Sequence, residues 1–317
     1  MTAVLALDIG GTKLAAGLVD VHGRARSFLV TPTPPGAGPG PVLDALFSLG
    51  RKAIADAGAE PDDITAVGIG CGGPLDAERG VLLAPPHLPG WRDVPVTELA
   101  GRAFGRPAAL DNDGAAAAAA EHRFGAGAGT RNMVYLTLST GVGGGAVLDG
   151  RIYRGSTGNG AELGHVVVDW RGRACRGCGG RGCLEAYVSG TSIAERARES
   201  FAEVPDSSLV TVDRLTAADV AAHAAAGDDL ARRVWRTTGE ALGCGLTSIV
   251  NMLEPEVVVL GGGVTGAGEA LIGPARDAVR TRAMTPGGRG VRVARAGLGE
   301  QVGVVGAATV AYRMGIS

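Results

Sequence analysis

The sequence predicts an α/β protein made of two similar halves, and three observations carry that expectation. An apolar run from Val4 to Leu7 is broken by "DIGGT" and resumed by "KLAAGLVD", which reads as two strands joined by a glycine-rich turn. The same order of strand, Gly/Thr turn and strand returns more than a third of the chain later as "MVYLTL", "STGVGGG" and "AVLDG", so the chain reads as internally duplicated. Strand patterns alternate with helical ones throughout, as in α/β folds.

At 317 residues the chain exceeds the roughly 250–300 at which a single core stops growing, so two domains are expected. Hydrophobic residues at 45% and charged residues at 20% describe an ordinary globular composition. The formal charge of −2 gives no basic field for nucleic acid or an anionic membrane, which leaves a small, uncharged or weakly anionic ligand as the expected partner. The opening "MTAVLALDIGG" has no Lys or Arg ahead of its apolar run, and Asp8 interrupts that run, which argues against a signal peptide. No other uncharged apolar stretch approaches the roughly 18 residues of a membrane helix. A cytoplasmic location is expected, and there the stretch "RACRGCGGRGCLEAY", with three of the five cysteines, reads as metal-binding or catalytic before it reads as disulfide.

After the first hairpin and the turn that follows it at Asp20 to Gly23, a helix is expected around Pro41 to Ala57 and a buried strand at "ITAVGIG". A further helix begins near Asp113 in "LDNDGAAAAAAEHRFG", where an Asp on sequence grounds alone is an N-cap. The second copy carries the longer inserts, the cysteine stretch among them. A long helical pattern from Asp228 to Met252 meets Glu254-Pro255, and then come the strand "EVVVL", the turn "GGGVTGAG", a helix, the strand "VRVARA" and a last helix from about Gln301 to Arg313. The boundary between the halves is placed at Leu110 to Asp113.

Three kinds of phosphate-binding chemistry compete. Gly261, Gly263 and Gly266 satisfy the dinucleotide fingerprint, but the acidic residue it wants about 20 positions later is missing from "RTRAMTPGGRGVRVARA". A P-loop needs Gly-Lys-Ser or Gly-Lys-Thr, and neither lysine, Lys13 or Lys52, stands in that context. What remains is the pair of Gly/Thr turns, Gly10-Gly11-Thr12 and Thr140-Gly141-Val142-Gly143, which offer backbone N–H groups and a hydroxyl to phosphate oxygens.

These residues carry a resemblance. "LDIGGTK", "STGVGGG" and "EPEVVVLGGGV" resemble the phosphate and adenosine motifs of the actin-like sugar kinase superfamily, and "AELGHV" with Cys-Gly-x-x-Gly-Cys-x-Glu is similar to the signature of the ROK family (repressors, open reading frames and kinases). The resemblance runs from Leu7 to about Gly306, and the stretch "HLPGWRDVPV" is most like the glucokinases of that family. It implies two ribonuclease H-like domains flanking a cleft: residues 1–112 as a smaller domain joined by the C-terminal helix in 301–317, and residues 113–300 as a larger one with a zinc knuckle. It implies ATP, Mg²⁺ and a structural Zn²⁺ as cofactors, and a homodimer or homotetramer.

The resemblance also assigns roles. His165 with Cys175, Cys178 and Cys183 makes a Cys₃His set typical of structural zinc, although the family's usual Cys-x-Cys is here Cys175-Arg176-Gly177-Cys178, one residue longer. Asp113 is implied as the general base, and Gly73, Asn112, Glu162, His165 and Glu185 as binders of the sugar. Asp8 would orient Mg²⁺ or its waters, while Gly10, Gly11, Thr12, Lys13, Thr140, Gly141, Gly143, Gly261, Gly262 and Gly263 would hold the nucleotide. His87 stands where relatives commonly show Asn, and Cys71 and Cys244 read as core thiols. The expected activity is ATP-dependent phosphorylation of a hexose, with glucose first and mannose, fructose or an N-acetylhexosamine as alternatives. A polyphosphate-using kinase is disfavoured, since that subgroup generally lacks the knuckle. A sugar-responsive repressor is also disfavoured, because the first strand leaves no room ahead of it for a helix-turn-helix and the charge is not basic.

Overall fold

The computed structural model describes residues 3–36 and 38–313. Strands β1 (Ala3–Ile9), β2 (Lys13–Asp20) and β3 (Leu29–Pro32) form a meander, and β4 (Ile64–Cys71) and β7 (Ala108–Asn112) add to it in parallel, giving the order β3-β2-β1-β4-β7. Between β4 and β7 lies a short hairpin of β5 (Leu75–Asp76) and β6 (Val81–Leu82). The second sheet repeats the plan. Strands β8 (Met133–Leu138), β9 (Val142–Leu148) and β10 (Arg151–Tyr153) are antiparallel neighbours, and β11 (Val257–Gly261) and β12 (Arg292–Arg295) extend β8 in parallel, in the order β10-β9-β8-β11-β12. The duplication read from the sequence is therefore a duplication of sheet topology.

Both sheets are covered on both faces, which is why their central strands read as nearly continuous apolar runs. In β1, Leu5, Leu7 and Ile9 belong to a core with Val42, Leu43 and Leu46 of helix α1 (Pro39–Asp56). The alternate residues Val4 and Ala6 face a second core of small side chains. In β8, Val134, Leu136 and Leu138 face the large core under the long inserts, while Met133 and Tyr135 face a smaller one. After α2 (Val96–Phe104), the chain leaves the first sheet through α3 (Asp113–Phe124). The inserts of the second half supply α4 (Glu185–Val188), α5 (Gly190–Glu199), α6 (Ala217–Ala226), α7 (Asp229–Leu253), α8 (Glu269–Arg282) and α9 (Pro286–Arg289), and α10 (Val302–Tyr312) ends the described chain. The expected turn "GGGVTGAG" contains a 3₁₀ helix from Gly263 to Ala267.

The two halves exchange helices. Helix α3 follows the last strand of the first sheet and packs on β8 and β9 of the second, whereas α10 follows the last strand of the second sheet and packs on β1 and β4 of the first. The two helices also pack on each other at backbone distance. A Cβ on Gly68 of β4 would sit 1.9 Å from the Ala307 carbonyl oxygen, one on Gly306 would sit 2.8 Å from the Ala116 carbonyl carbon, and one on Gly114 would sit 2.2 Å from the Gly144 oxygen. The alanine run of α3 is thus a packing surface as well as a helix former. Buried Glu121 fixes the second crossover: its carboxylate accepts the N–H groups of Ala126, Gly297 and Leu298 at 2.8–2.9 Å, joining the end of α3 to the segment that leads into α10.

Candidate active site

In both sheets the residues singled out in the sequence gather at the carboxyl ends of parallel strands, where α/β sheets place their ligands. The first Gly/Thr turn follows β1, Gly72 and Gly73 follow β4, and α3 starts directly from the end of β7. The second turn follows β8, and the glycine turn of Gly261, Gly262 and Gly263 follows β11.

The first turn is tight and braced. Gly10 N–H donates to the Lys13 carbonyl at 3.0 Å, and the Thr33 hydroxyl donates to the Gly10 carbonyl at 2.7 Å. Gly11 lies against His87, whose carbonyl oxygen a Cβ at Gly11 would approach to 2.7 Å. Thr12 and Lys13 are exposed beside it. In the second turn Ser139 N–H donates to the Gly141 carbonyl at 2.9 Å, and Thr140 is exposed. The third turn is packed against the second: Gly262, at φ +84°, has no room for a Cβ, which would meet the Leu138 carbonyl oxygen at 2.4 Å. The structure therefore puts Gly262 against Leu138, the last residue of the strand that leads into Ser139 and Thr140.

Asn112, not Asp113, caps α3. Its Oδ1 accepts the N–H groups of Gly114 at 2.9 Å and Ala115 at 3.2 Å, so Asp113 is the first helical residue. The Asp113 carboxylate takes the Gly114 N–H at 2.7 Å through Oδ1, and the residue is exposed. Protein crowds its other sides, and that loss of solvation raises its pKa, opposed by the Gly114 N–H and by the nearby His87. Asp8, at the end of β1, is pushed up to about 7, first by burial and then by the charge of Asp113, with Lys13 pulling the other way. A carboxylate pair in this position suits a divalent cation.

The cysteine stretch closes on itself. The ligand atoms of His165, Cys175, Cys178 and Cys183 all lie within 4.8 Å of one another. Cys178 and Cys183 sulfurs are 3.6 Å apart, and the Cys175 sulfur is 3.6 Å from His165 Nδ1. A tetrahedral zinc with bonds of about 2.3 Å to sulfur and 2.0–2.1 Å to nitrogen requires edges of about 3.8 and 3.6 Å, so the donor set fits that ion. The extra residue between Cys175 and Cys178 does not keep Cys175 out. Because Nδ1 of His165 faces the sulfurs, its Nε2 is left for another partner.

Glu162, His165 and Glu185 come together as well. Charges of His165, Asp113 and Glu185 all act on Glu162, whose pKa is raised chiefly by burial and further by the two carboxylates. Glu185 has a role that spacing did not reveal: Oε2 accepts the Val142 N–H at 2.9 Å, and Oε1 lies 3.4 Å from the Cys175 sulfur. It joins the knuckle to the second Gly/Thr turn.

Sequence reasoning missed Asn159. Its Oδ1 accepts the Leu75 N–H and its Nδ2 donates to the Leu75 carbonyl, each at 3.2 Å, and a Cβ at Gly73 would lie 3.1 Å from that Oδ1. An Asn in a glycine-rich loop carries no local sign of such a partner. Cys71 is not an isolated core thiol either, since His87 Nε2 lies 3.9 Å from its sulfur. Cys244 is only half-buried.

The model of the ROK family matches residues 4–314. The chain belongs to the ROK family. A glucokinase of Thermotoga maritima is 35% identical over 319 residues, covering 97% of this chain and 96% of its own. An N-acetylmannosamine kinase of Citrobacter koseri is 35% identical over 98% of both chains. In structure, a ROK family glucokinase from Streptomyces griseus in complex with glucose and AMPPNP superposes with a TM-score of 0.84 at 34% identity, covering 98% of this chain and 99% of that one. The mixed α/β architecture of two duplicated sheets is thus the ROK sugar-kinase fold, and the knuckle sits in its second half. Among the described residues, no helix is long and apolar enough to cross a membrane.

Proposed function

We propose that the protein is a glucokinase, transferring the γ-phosphoryl group of ATP to the terminal hydroxyl of glucose to give glucose 6-phosphate. The observation that carries this reading is the placement of Asp113: an exposed carboxylate at a helix N-terminus, within electrostatic reach of Asp8 before the first Gly/Thr turn and of Glu162. The likeness to a ROK glucokinase solved with glucose and AMPPNP supports the choice of both substrates.

In this mechanism glucose lies against Glu162, His165 and Glu185, with Asn112 and the backbone at Gly73 completing the wall. Carboxylates suit a polyol because each accepts two or more hydrogen bonds. Asp113 accepts the proton of the attacking hydroxyl, the hydroxyl oxygen bonds to the γ-phosphorus, and the bond from that phosphorus to the bridging oxygen breaks, releasing ADP. Phosphoryl transfer asks mainly for positioning and charge stabilisation. Thr12, Gly10, Gly11 and Lys13 hold the phosphates from one side and Thr140, Gly141 and Gly143 from the other, with the adenosine at Gly261, Gly262 and Gly263. Mg²⁺, when bound, neutralises the phosphate charge, and Asp8 is the residue that would orient it or its waters. Zn²⁺ on His165, Cys175, Cys178 and Cys183 would fix the imidazole so that its free edge faces the sugar.

The reading takes residues 1–112 with the C-terminal helix as one unit and residues 113–300 as the other, and a cytoplasmic homodimer or homotetramer as the working form. The test is a panel of glucose, mannose, fructose and N-acetylmannosamine with ATP or polyphosphate, followed by ADP or sugar phosphate formation. Glucose with ATP should give the highest kcat/KM. A preference for N-acetylmannosamine would move the assignment to another member of the family, and no turnover with any sugar would end it.

A further inference from the structure

Asp111 stands two residues before Asp113 and is only 1% exposed. Its Oδ2 accepts hydrogen bonds from two guanidinium groups, Arg154 Nη2 at 2.8 Å and Arg313 Nη2 at 2.6 Å, while its Oδ1 accepts the N–H of Asn112 at 2.9 Å. The two arginines come from distant places. Arg154 directly follows β10, and its carbonyl accepts the Gly160 N–H at 2.8 Å, closing the base of the loop that leads to Glu162. Arg313 directly follows α10.

A buried ion triad is a weak source of stability, because removing the charges from water offsets most of their attraction. What it provides is geometry: charge-assisted bonds from planar guanidinium groups fix the position of the acceptor. Here the acceptor carries the peptide N–H of Asn112, the residue that caps α3 and precedes Asp113. The contacts therefore run from the sugar-side loop and the last helix, through one carboxylate, to the start of the helix that bears the base.

We propose that Asp111, clamped by Arg154 and Arg313, is a positioning residue that sets the placement of Asn112 and Asp113 relative to the loop carrying Glu162. The proposal rests on the reading of Asp113 as the general base. Misplacement by about 1 Å costs up to roughly 100-fold in such reactions, so Asp111→Asn should lower kcat roughly 10- to 100-fold. The KM for ATP, whose turns lie outside the triad, should change less than about threefold by the same argument.

The experiment compares Asp111→Asn, Arg154→Lys, the double variant and Asp113→Asn, determining the thermal midpoint of each protein and measuring kcat and both KM values well below it. The double variant should be no slower than Asp111→Asn, as expected of groups acting as one unit. Arg154→Lys keeps the charge and loses the fork, and with a side chain about one-third exposed it tests the same link should Asp111→Asn fail to fold. A lowered midpoint with unchanged kcat in either variant would make the triad purely structural and overturn the proposal. If Asp113→Asn stays active, the reading of the base fails and the proposal with it. If Asp113→Asn is inactive while Asp111→Asn is fully active, only the positioning role is lost.

Discussion

Glu185 accepts the peptide N–H of Val142 at 2.9 Å, so the carboxylate that follows the last cysteine of the knuckle is bonded to the second Gly/Thr turn. Its other oxygen lies 3.4 Å from the sulfur of Cys175. One side chain therefore joins the Cys₃His cluster to the second Gly/Thr turn, which are the proposed sugar and nucleotide sides of the site.

That bond separates the roles of two neighbouring residues. His165→Gln should lose both zinc and sugar affinity, because one ring nitrogen faces the sulfurs and the other is the one proposed to meet the sugar. Glu185→Ala should keep about one zinc per chain, as expected of a four-ligand site from which no ligand has been removed, while raising the KM for glucose and for ATP together. Elemental analysis of the purified variants, with both KM values, checks this. Normal zinc and normal KM in His165→Gln would remove the link between knuckle and sugar.

For Asp113→Asn we expect kcat to fall by about 10²–10⁴-fold, the usual cost of losing a general base, with glucose binding still measurable. Because crowding raises the Asp113 pKa in the ligand-free protein, the acid limb of kcat/KM should lie above the ordinary carboxylate range. Retention of more than about half of native kcat, far from general-base loss, would reduce Asp113 to a helix residue.

Asp8 makes stability depend on pH with a definite sign. Its pKa is pushed up to about 7 in the folded chain, whereas an unfolded Asp titrates near 3.9, so the folded state holds the extra proton between these values. The contribution is fully present below about pH 4 and is lost as pH rises through about 7. The thermal midpoint of the ligand-free protein should therefore drop further between about pH 5.5 and 8 than that of Asp8→Asn, by roughly 3–6 °C. Mg²⁺ with ATP should recover the loss at the higher pH. Parallel pH curves for the two proteins would contradict the assignment.

Gly68→Ala tests the helix exchange. The added methyl would stand 1.9 Å from the Ala307 carbonyl oxygen, a backbone atom that cannot swing away, so α10 must shift off β4. A loss of about 1–3 kcal/mol or more is expected from denaturant unfolding. An unchanged midpoint would mean that α10 does not rest on the first sheet as described.

The sequence by itself determined what repeats locally or binds at short spacing. Two strand-turn-strand copies are visible because apolar runs and Gly/Thr turns are patterns of neighbours, and the knuckle is visible because Cys175, Cys178, Cys183 and Glu185 fall within eleven residues. The helix at Asp113 was legible too, but its cap was not: Asn112 and Asp113 are both good caps, and only backbone geometry chose Asn112. Partners across the cleft belong to the tertiary structure. Arg154 and Arg313 stand 43 and 202 residues from Asp111, Glu185 stands 43 from Val142, and Asn159 stands 84 from Leu75. Such pairs leave no periodicity to read, because they are set by how two sheets and two exchanged helices pack, and each side chain involved would serve equally well on an exposed surface.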